Sequence, residues 1–484
     1  MESLRALLNI IAAEVSTLEE RYSAASLSPP CLESATFKPQ LPAETLRLSD
    51  PAVARAIHLI VAATGQLAAA VRDPAVTLLN AAHAFEISSS MRVAGELNVV
   101  EILRDAGEQG LHVNDIAQFS GGDPQVLARV LRLLASHHIF REVSLDVFAN
   151  NRVSAALDKG KSVQDLFSKP KERWNDCPGL PALVEFLADD CFKTSAYLAD
   201  TIHDPHAAPG PIPHMRAFNT PLNMFQWFEA PEQEQRLRRF GVAMRGTGEE
   251  EPVDTILKGF DWGALPSGST VVDVGGGIGT FGIRIAKAHP QLKIVTQDRS
   301  SVIEHAMANW KTFLPSAVKS GSALFQAHSF LEPQPAENDG TVSVFMMRQI
   351  VHDWPDDVIV TMLTHLRAVA APTTKLLIVD AIVEPACAVS SAIVSSNFNY
   401  TKVPELKDLP IKGHAELPPY PLLANAGVAG APLHYYDMTV NNLLGGGERT
   451  LDGFHEVCAK SGWKITSATH VEQTVRAFIV AEPI

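Results

Sequence analysis

The sequence predicts an α/β protein: a doubly wound, mostly parallel sheet forms its C-terminal half, preceded by a mostly helical domain with a winged-helix outline. Three observations carry this. Beyond residue 270, short apolar strands alternate with helical segments. Before residue 160, apolar residues recur at helical spacing. Val271-Val-Asp-Val-Gly-Gly-Gly-Ile-Gly joins a strand directly to a helix through a glycine turn.

Taken in order, residues 1–22 place Leu4, Leu7, Leu8, Ile11, Val15 and Leu18 on one helical face. Such a helix buries its stripe on its own body or on a second subunit. Residues 23–50, rich in Ser and Pro, read as a linker, so 1–50 is an N-terminal helix and linker. Residues 51–165 form the winged-helix-like, dimer-forming domain. Within it Asp123 caps a helix with Pro124 at its first position, Val126 to Leu134 supply its apolar face, and two strand-like pieces follow around Ile139–Val143 and Val147-Phe. Residues 166–260 are a helical connecting and substrate region, in which Trp227 and Met244 are substrate-contact candidates, though aromatic and sulfur side chains of this kind are more often core. Residues 261–484 form the catalytic domain. Its strands are Thr270–Val274, Lys293–Gln297, Ala323–Gln326, Val342–Met347 and Lys375–Val379, with an edge hairpin from Trp463–Ala468 and Ala477–Ala481. Residues 384–436 read as a long irregular insertion, either a pocket cover or a solvated loop.

Composition narrows the partners. Apolar residues make up 46% of the 484 and charged residues 19%, and the net charge is −14 from 40 basic and 54 acidic residues. An acidic chain without a basic run is poorly suited to nucleic acid, so the winged-helix outline is read as dimer-forming. Cys31, Cys177, Cys191, Cys387 and Cys458 are scattered and form no CxxC pair. Neither a disulfide framework nor a metal site is indicated, and a cytoplasmic location is expected. No signal-peptide start and no run of roughly 18 apolar residues is present, so no membrane segment is expected.

The glycine turn is the strongest signal. Gly275, Gly277 and Gly279 let a ligand approach the backbone, and Asp298 ends the next strand, where a carboxylate holds ribose hydroxyls. A nicotinamide dinucleotide is the competing ligand. The GxGxG spacing brings the third glycine one residue early for it, and Asp273 would repel a pyrophosphate. A ligand with a ribose, an amine and no phosphate fits better, and S-adenosylmethionine is such a ligand. His352 lies just past the fourth strand, beyond the carboxyl ends where ligands lie in open α/β sheets.

With Asp273-Val-Gly-Gly-Gly-Ile-Gly, Gln297-Asp298, Met347-Arg-Gln-Ile-Val-His-Asp-Trp and Gly445-Gly-Gly-Glu-Arg-Thr in this order, the sequence resembles the plant and fungal small-molecule O-methyltransferases over residues 80–484. The resemblance implies a Rossmann-like cofactor domain, a homodimer, and a hydroxyl acceptor on a phenolic, enolic or polyketide-like secondary metabolite. It implies His352 as general base, flanked and positioned by Asp380 and Glu448, and Arg348 as a cofactor contact. Ser329 and Phe330 fall at cofactor-contact positions and Asn441 at a substrate-contact position. Ser329 stands where relatives carry an acid for the adenine amine, and Asp380 is shorter than the Glu of many members. Some members of this scaffold bind the cofactor yet catalyse dehydration or pericyclic chemistry, which is the alternative reading.

Overall fold

The N-terminal helix forms where its stripe predicts, over Glu2–Ala24, and packs along a second helix, Pro51–Val71. The burial is one-sided: Leu7 and Tyr22 are covered, while Leu8 and Val15 remain exposed. Pro51–Val71 is long and apolar enough, by length and composition alone, to cross a membrane, which the run-length reading did not anticipate. It buries Val53, Ala56, Leu59, Ala62 and Ala63. The expected linker 23–50 is only partly irregular. A helix at Pro42–Ser49 starts on its proline, and its buried Glu44 takes a bidentate ion pair from Arg152.

The structure is a computed structural model describing residues 2–249, 254–387, 403–407, 409–413, 417–471 and 474–484. The chain divides into two units, Met1–Glu251 and Pro252–Ile484.

In the first unit the winged-helix outline is present. Helices Val113–Ser120 and Pro124–Ser136 are followed by a three-stranded antiparallel sheet, in the order β1 (Leu111–His112), β3 (Val147–Asn150), β2 (Phe140–Ser144). Asp123 caps the second helix by accepting the N–H groups of Gln125 and Val126, both at 2.9 Å. Leu103, Ile116, Leu131, Leu134 and Phe148 are fully buried at its centre.

The second unit is an eight-stranded sheet. Five parallel strands, β4 (Thr270–Val274), β5 (Lys293–Asp298), β6 (Ala323–Ala327), β7 (Val342–Arg348) and β8 (Lys375–Ala381), are extended by β9 (Ile411–Lys412), β10 (Trp463–His470) and β11 (Arg476–Pro483). The order is β6-β5-β4-β7-β8-β11-β10-β9. The expected edge hairpin exists: β11 runs antiparallel to β8, and β10 to β11. The 384–436 stretch is not irregular throughout, because β9 pairs with β10 and a helix begins at Ala431. Its residues 388–402, 408 and 414–416 lie outside the described residues. Strand side chains alternate between two cores, Val272, Phe345 and Ile378 in one, Val271, Ile294, Val344 and Leu377 in the other. Strand order reverses beside β4, so the carboxyl ends of β4, β5 and β7 open at the switch point where such sheets take ligands.

Candidate active site

The glycine loop leaves β4 with Gly275, Gly277 and Gly279 at φ of 69°, 57° and 79°, three alternate left-handed positions that glycine adopts without cost. A Cβ on Gly275 would meet Ile350, and one on Gly279 would meet the Trp310 indole, whereas one on Gly277 would meet nothing within 4 Å among the described residues. Asp298 ties the loop to β5: its Oδ2 accepts the Gly277 N–H at 2.9 Å and its Oδ1 the Arg299 N–H at 2.8 Å. Asp273 is 3% exposed. Burial lifts its carboxyl to about 7, with Arg348 opposing and Asp298 adding to the rise.

Arg348 closes β7, its guanidinium 3.6 Å from the centre of the Phe281 ring. Burial lowers it to about 10 against the pull of Asp380 and Asp273. Gln349 follows with a φ of 53° and donates its N–H to the Val379 carbonyl at 3.1 Å. That strained residue swings the chain out of the strand into the short turn Val351–Asp353.

His352 sits on this turn, with its side chain 13% exposed. Its Nδ1 lies 2.7 Å from Glu448 Oε1, and its Nε2 lies 3.4 Å from Asp353 Oδ1. Burial alone would discharge the ring, but Asp353, Asp380 and Glu448 overcome it and raise its pKa to about 10. Asp353 is itself lifted to about 6 by burial, against the pull of His352. Asp380 is fully buried at the end of β8, and neither of its oxygens has a hydrogen-bond partner among the described residues. Burial raises it to about 7, with His352 opposing.

The second unit thus brings Asp273, Gly275, Gly277, Asp298, Arg348, His352, Asp380 and Glu448 to the carboxyl end of one sheet. Expectation and structure part at Asp380, while the other site candidates have the following surroundings. Asp380 was expected to flank and position the ring; it acts on His352 only through its field, because it makes no hydrogen bond to it. The second carboxylate beside the ring is Asp353, a residue of the His-Asp-Trp motif to which sequence reasoning gave no role. Asn441 donates Nδ2–H to the Gly446 carbonyl at 3.2 Å and so braces the Gly445–Gly447 turn. Ser329 is exposed and accepts the Leu331 N–H, while Phe330 packs edge-on to Trp354 with ring centres 5.7 Å apart. Trp227 belongs to the first unit, stacked on Phe218 at 4.3 Å with Arg236 over its ring, and Met244 there is 39% exposed. No group of three or more His, Cys, Asp or Glu side chains able to hold a metal occurs among the described residues.

A doubly wound sheet with a glycine turn after its first strand, an acid at the end of the next and a histidine hydrogen-bonded to a carboxylate defines the class of enzymes that take a nucleoside cofactor beyond the strand ends. Residues 79–159 match the O-methyltransferase dimerisation domain and residues 196–401 the O-methyltransferase domain. An O-methyltransferase of Armillaria gallica is 38% identical over 100% of this chain and 99% of its own length. The 4-O-methyltransferase 1 of Phanerochaete chrysosporium is 33% identical, covering 98% and 97% respectively. The solved structure of LepI in complex with S-adenosylmethionine superposes with a TM-score of 0.64 over 91% of this chain and 97% of that one, at 19% identity. The chain belongs to the O-methyltransferase family and is an S-adenosylmethionine-dependent enzyme.

The residues present fit that cofactor. The open face at Gly277 would leave room for a ligand against the loop, and Asp298 and Asp273 are the carboxylates that would face a ribose and an ammonium group there.

Proposed function

We propose that the enzyme methylates a phenolic, enolic or polyketide-like hydroxyl of a secondary metabolite, with His352 as general base. The observation that carries this reading is the 2.7 Å pair between His352 Nδ1 and Glu448 Oε1. A carboxylate accepting Nδ1–H fixes the tautomer and leaves Nε2 to take the hydroxyl proton. The cofactor supplies an electrophilic methyl on a sulfonium. A phenol, with a pKa near 10, is not fully ionised beforehand; its proton moves to Nε2 as the oxygen is alkylated and becomes acidic. The carboxylates of Glu448, Asp353 and Asp380 stabilise the imidazolium that results. The same carboxylates keep the ring charged in the ligand-free protein. That charge would be opposed by a cationic methyl donor held at the glycine loop, which would favour the free base of His352.

The protein acts as a homodimer on this reading. Helix Pro74–Ala82, at the start of the dimerisation domain, buries none of its residues in the single chain and leaves Leu78 and Leu79 71% and 61% exposed. A monomeric mass by light scattering would count against it.

The first test is calorimetric titration with S-adenosylmethionine, followed by turnover on phenolic acceptors. Binding that is lost in Asp298→Ala, together with turnover lost in His352→Ala while binding persists, supports the reading. Comparable turnover in His352→Ala removes His352 from the mechanism.

A further inference from the structure

The His352–Glu448 pair joins two segments far apart in sequence, and neither residue fixes the other's backbone. Arg449 does. Its Nη1 donates to the Val351 carbonyl at 3.0 Å and to the Gly447 carbonyl at 2.9 Å. Its Nη2 donates to the Trp354 carbonyl at 2.8 Å, and Nη2 and Nε both reach Asp356 Oδ1, at 2.6 and 3.0 Å. One guanidinium therefore grips the turn on either side of His352 and the residue just before Glu448. Two further bonds act in the same direction: the Gly447 N–H donates to the His352 carbonyl at 2.8 Å, and the Glu448 N–H donates to Asp437 Oδ1 at 2.8 Å. The approach is close enough that a Cβ on Gly446 would strike the His352 carbonyl and the backbone after it. Arg449 is only 10% exposed, so its fork is held rather than solvated.

We propose that Arg449 is a positioning residue that sets the His352–Glu448 hydrogen bond, and through it the proton affinity of the general base. The kinetic part rests on the methyl-transfer reading; the titration part does not.

The test follows the His352 imidazole by NMR as a function of pH in cofactor-free protein, its signal assigned as the one missing in His352→Gln. In Arg449→Gln the titration is expected to move down by about one unit or more, because Glu448 no longer holds Nδ1–H. kcat is expected to fall by about 10-fold or more, the acid limb of the pH profile to move with the titration, and KM for S-adenosylmethionine to stay within about 3-fold. Arg449→Lys, which retains the charge but not the fork, is expected to fall between. A folded Arg449→Gln protein whose His352 titrates as in wild type overturns the proposal. If that variant does not fold, Arg449→Lys is read the same way, and an unmoved titration again overturns it. A wild-type protein without methyl transfer would sink the functional reading and leave the titration result standing.

Discussion

His352 and Glu448 lie 96 residues apart in sequence, yet Nδ1 and Oε1 stand at 2.7 Å, with the carboxylate side chain only 5% exposed. Burying a carboxylate against an imidazole stabilises the charged ring and selects one tautomer. Glu448→Gln retains the shape and removes the charge, and an amide presents either a donor or an acceptor to Nδ1. kcat is expected to drop by roughly 10²- to 10⁴-fold, with the affinity for S-adenosylmethionine nearly unchanged. Steady-state kinetics beside calorimetry decide it; a loss confined to KM would mean that Glu448 binds the acceptor instead.

The raised pKa of His352 has a sign that stability measurements read. Its folded value, about 10, lies above the ordinary 6.5. The native state therefore holds the proton longer than the unfolded state does. The stability this adds is complete below about pH 6.5 and is lost as pH rises through about 10. Asp353, Asp380 and Asp273, raised to about 6, 7 and 7, act in the same direction at lower pH. Tm of the cofactor-free protein is expected to fall from pH 6.5 to 10, and less steeply in His352→Gln. Equal slopes in the two proteins would show that His352 is not held as an imidazolium.

Gly277 separates backbone strain from ligand exclusion. Its φ of 57° disfavours any side chain, but a Cβ there meets no atom of the described residues within 4 Å. Gly160, at φ 71° and equally open, is a control outside the sheet unit. Alanine at either position should cost about 1–2 kcal/mol for the left-handed backbone. Gly277→Ala alone should also weaken S-adenosylmethionine binding, by about 10-fold or more, because its methyl would occupy the open face of the loop on which the cofactor is expected to lie. Equal affinities in the two variants would move the cofactor away from Gly277.

The parts of the fold written in local pattern were legible. Strands β4, β5, β7 and β8 are short apolar runs ending at glycine, acid or motif residues, and the structure places them where the pattern does. What was missed depends on distant partners. Strand β9 is two residues long and exists only because β10 pairs with it. Helix Pro42–Ser49 sits in a Ser- and Pro-rich stretch and is tied down by Arg152 through Glu44. At the site, the glycines and the acids at strand ends announced themselves by spacing. Arg449 and Asp353 lay inside motifs already singled out, but neither the carbonyls that Arg449 bonds to nor the closeness of the Asp353 carboxylate to the ring leaves a mark in composition or periodicity.

The first unit carries a buried charge cluster whose removal should be costly for a different reason. Lys159 is 2% exposed and Glu101 0%. The Lys159 Nζ donates to the Gly95 carbonyl at 3.1 Å and lies 3.5 Å from Glu101 Oε1 and 3.6 Å from Glu185 Oε1. Glu185 keeps a second cation, Arg173, at 2.8 Å, but among the described ion pairs Lys159 is the only one made by Glu101. Lys159→Met therefore strands a buried carboxylate and is expected to destabilise the protein by about 3–5 kcal/mol. Adding Glu101→Gln should recover much of that loss, because the amide oxygen still accepts the Lys159 backbone N–H, bonded at 2.8 Å to Glu101, and no charge is left behind. Urea unfolding at fixed protein concentration measures both. If the double variant is no more stable than Lys159→Met, the cost lies in lost packing of the lysine stem and not in the orphaned charge.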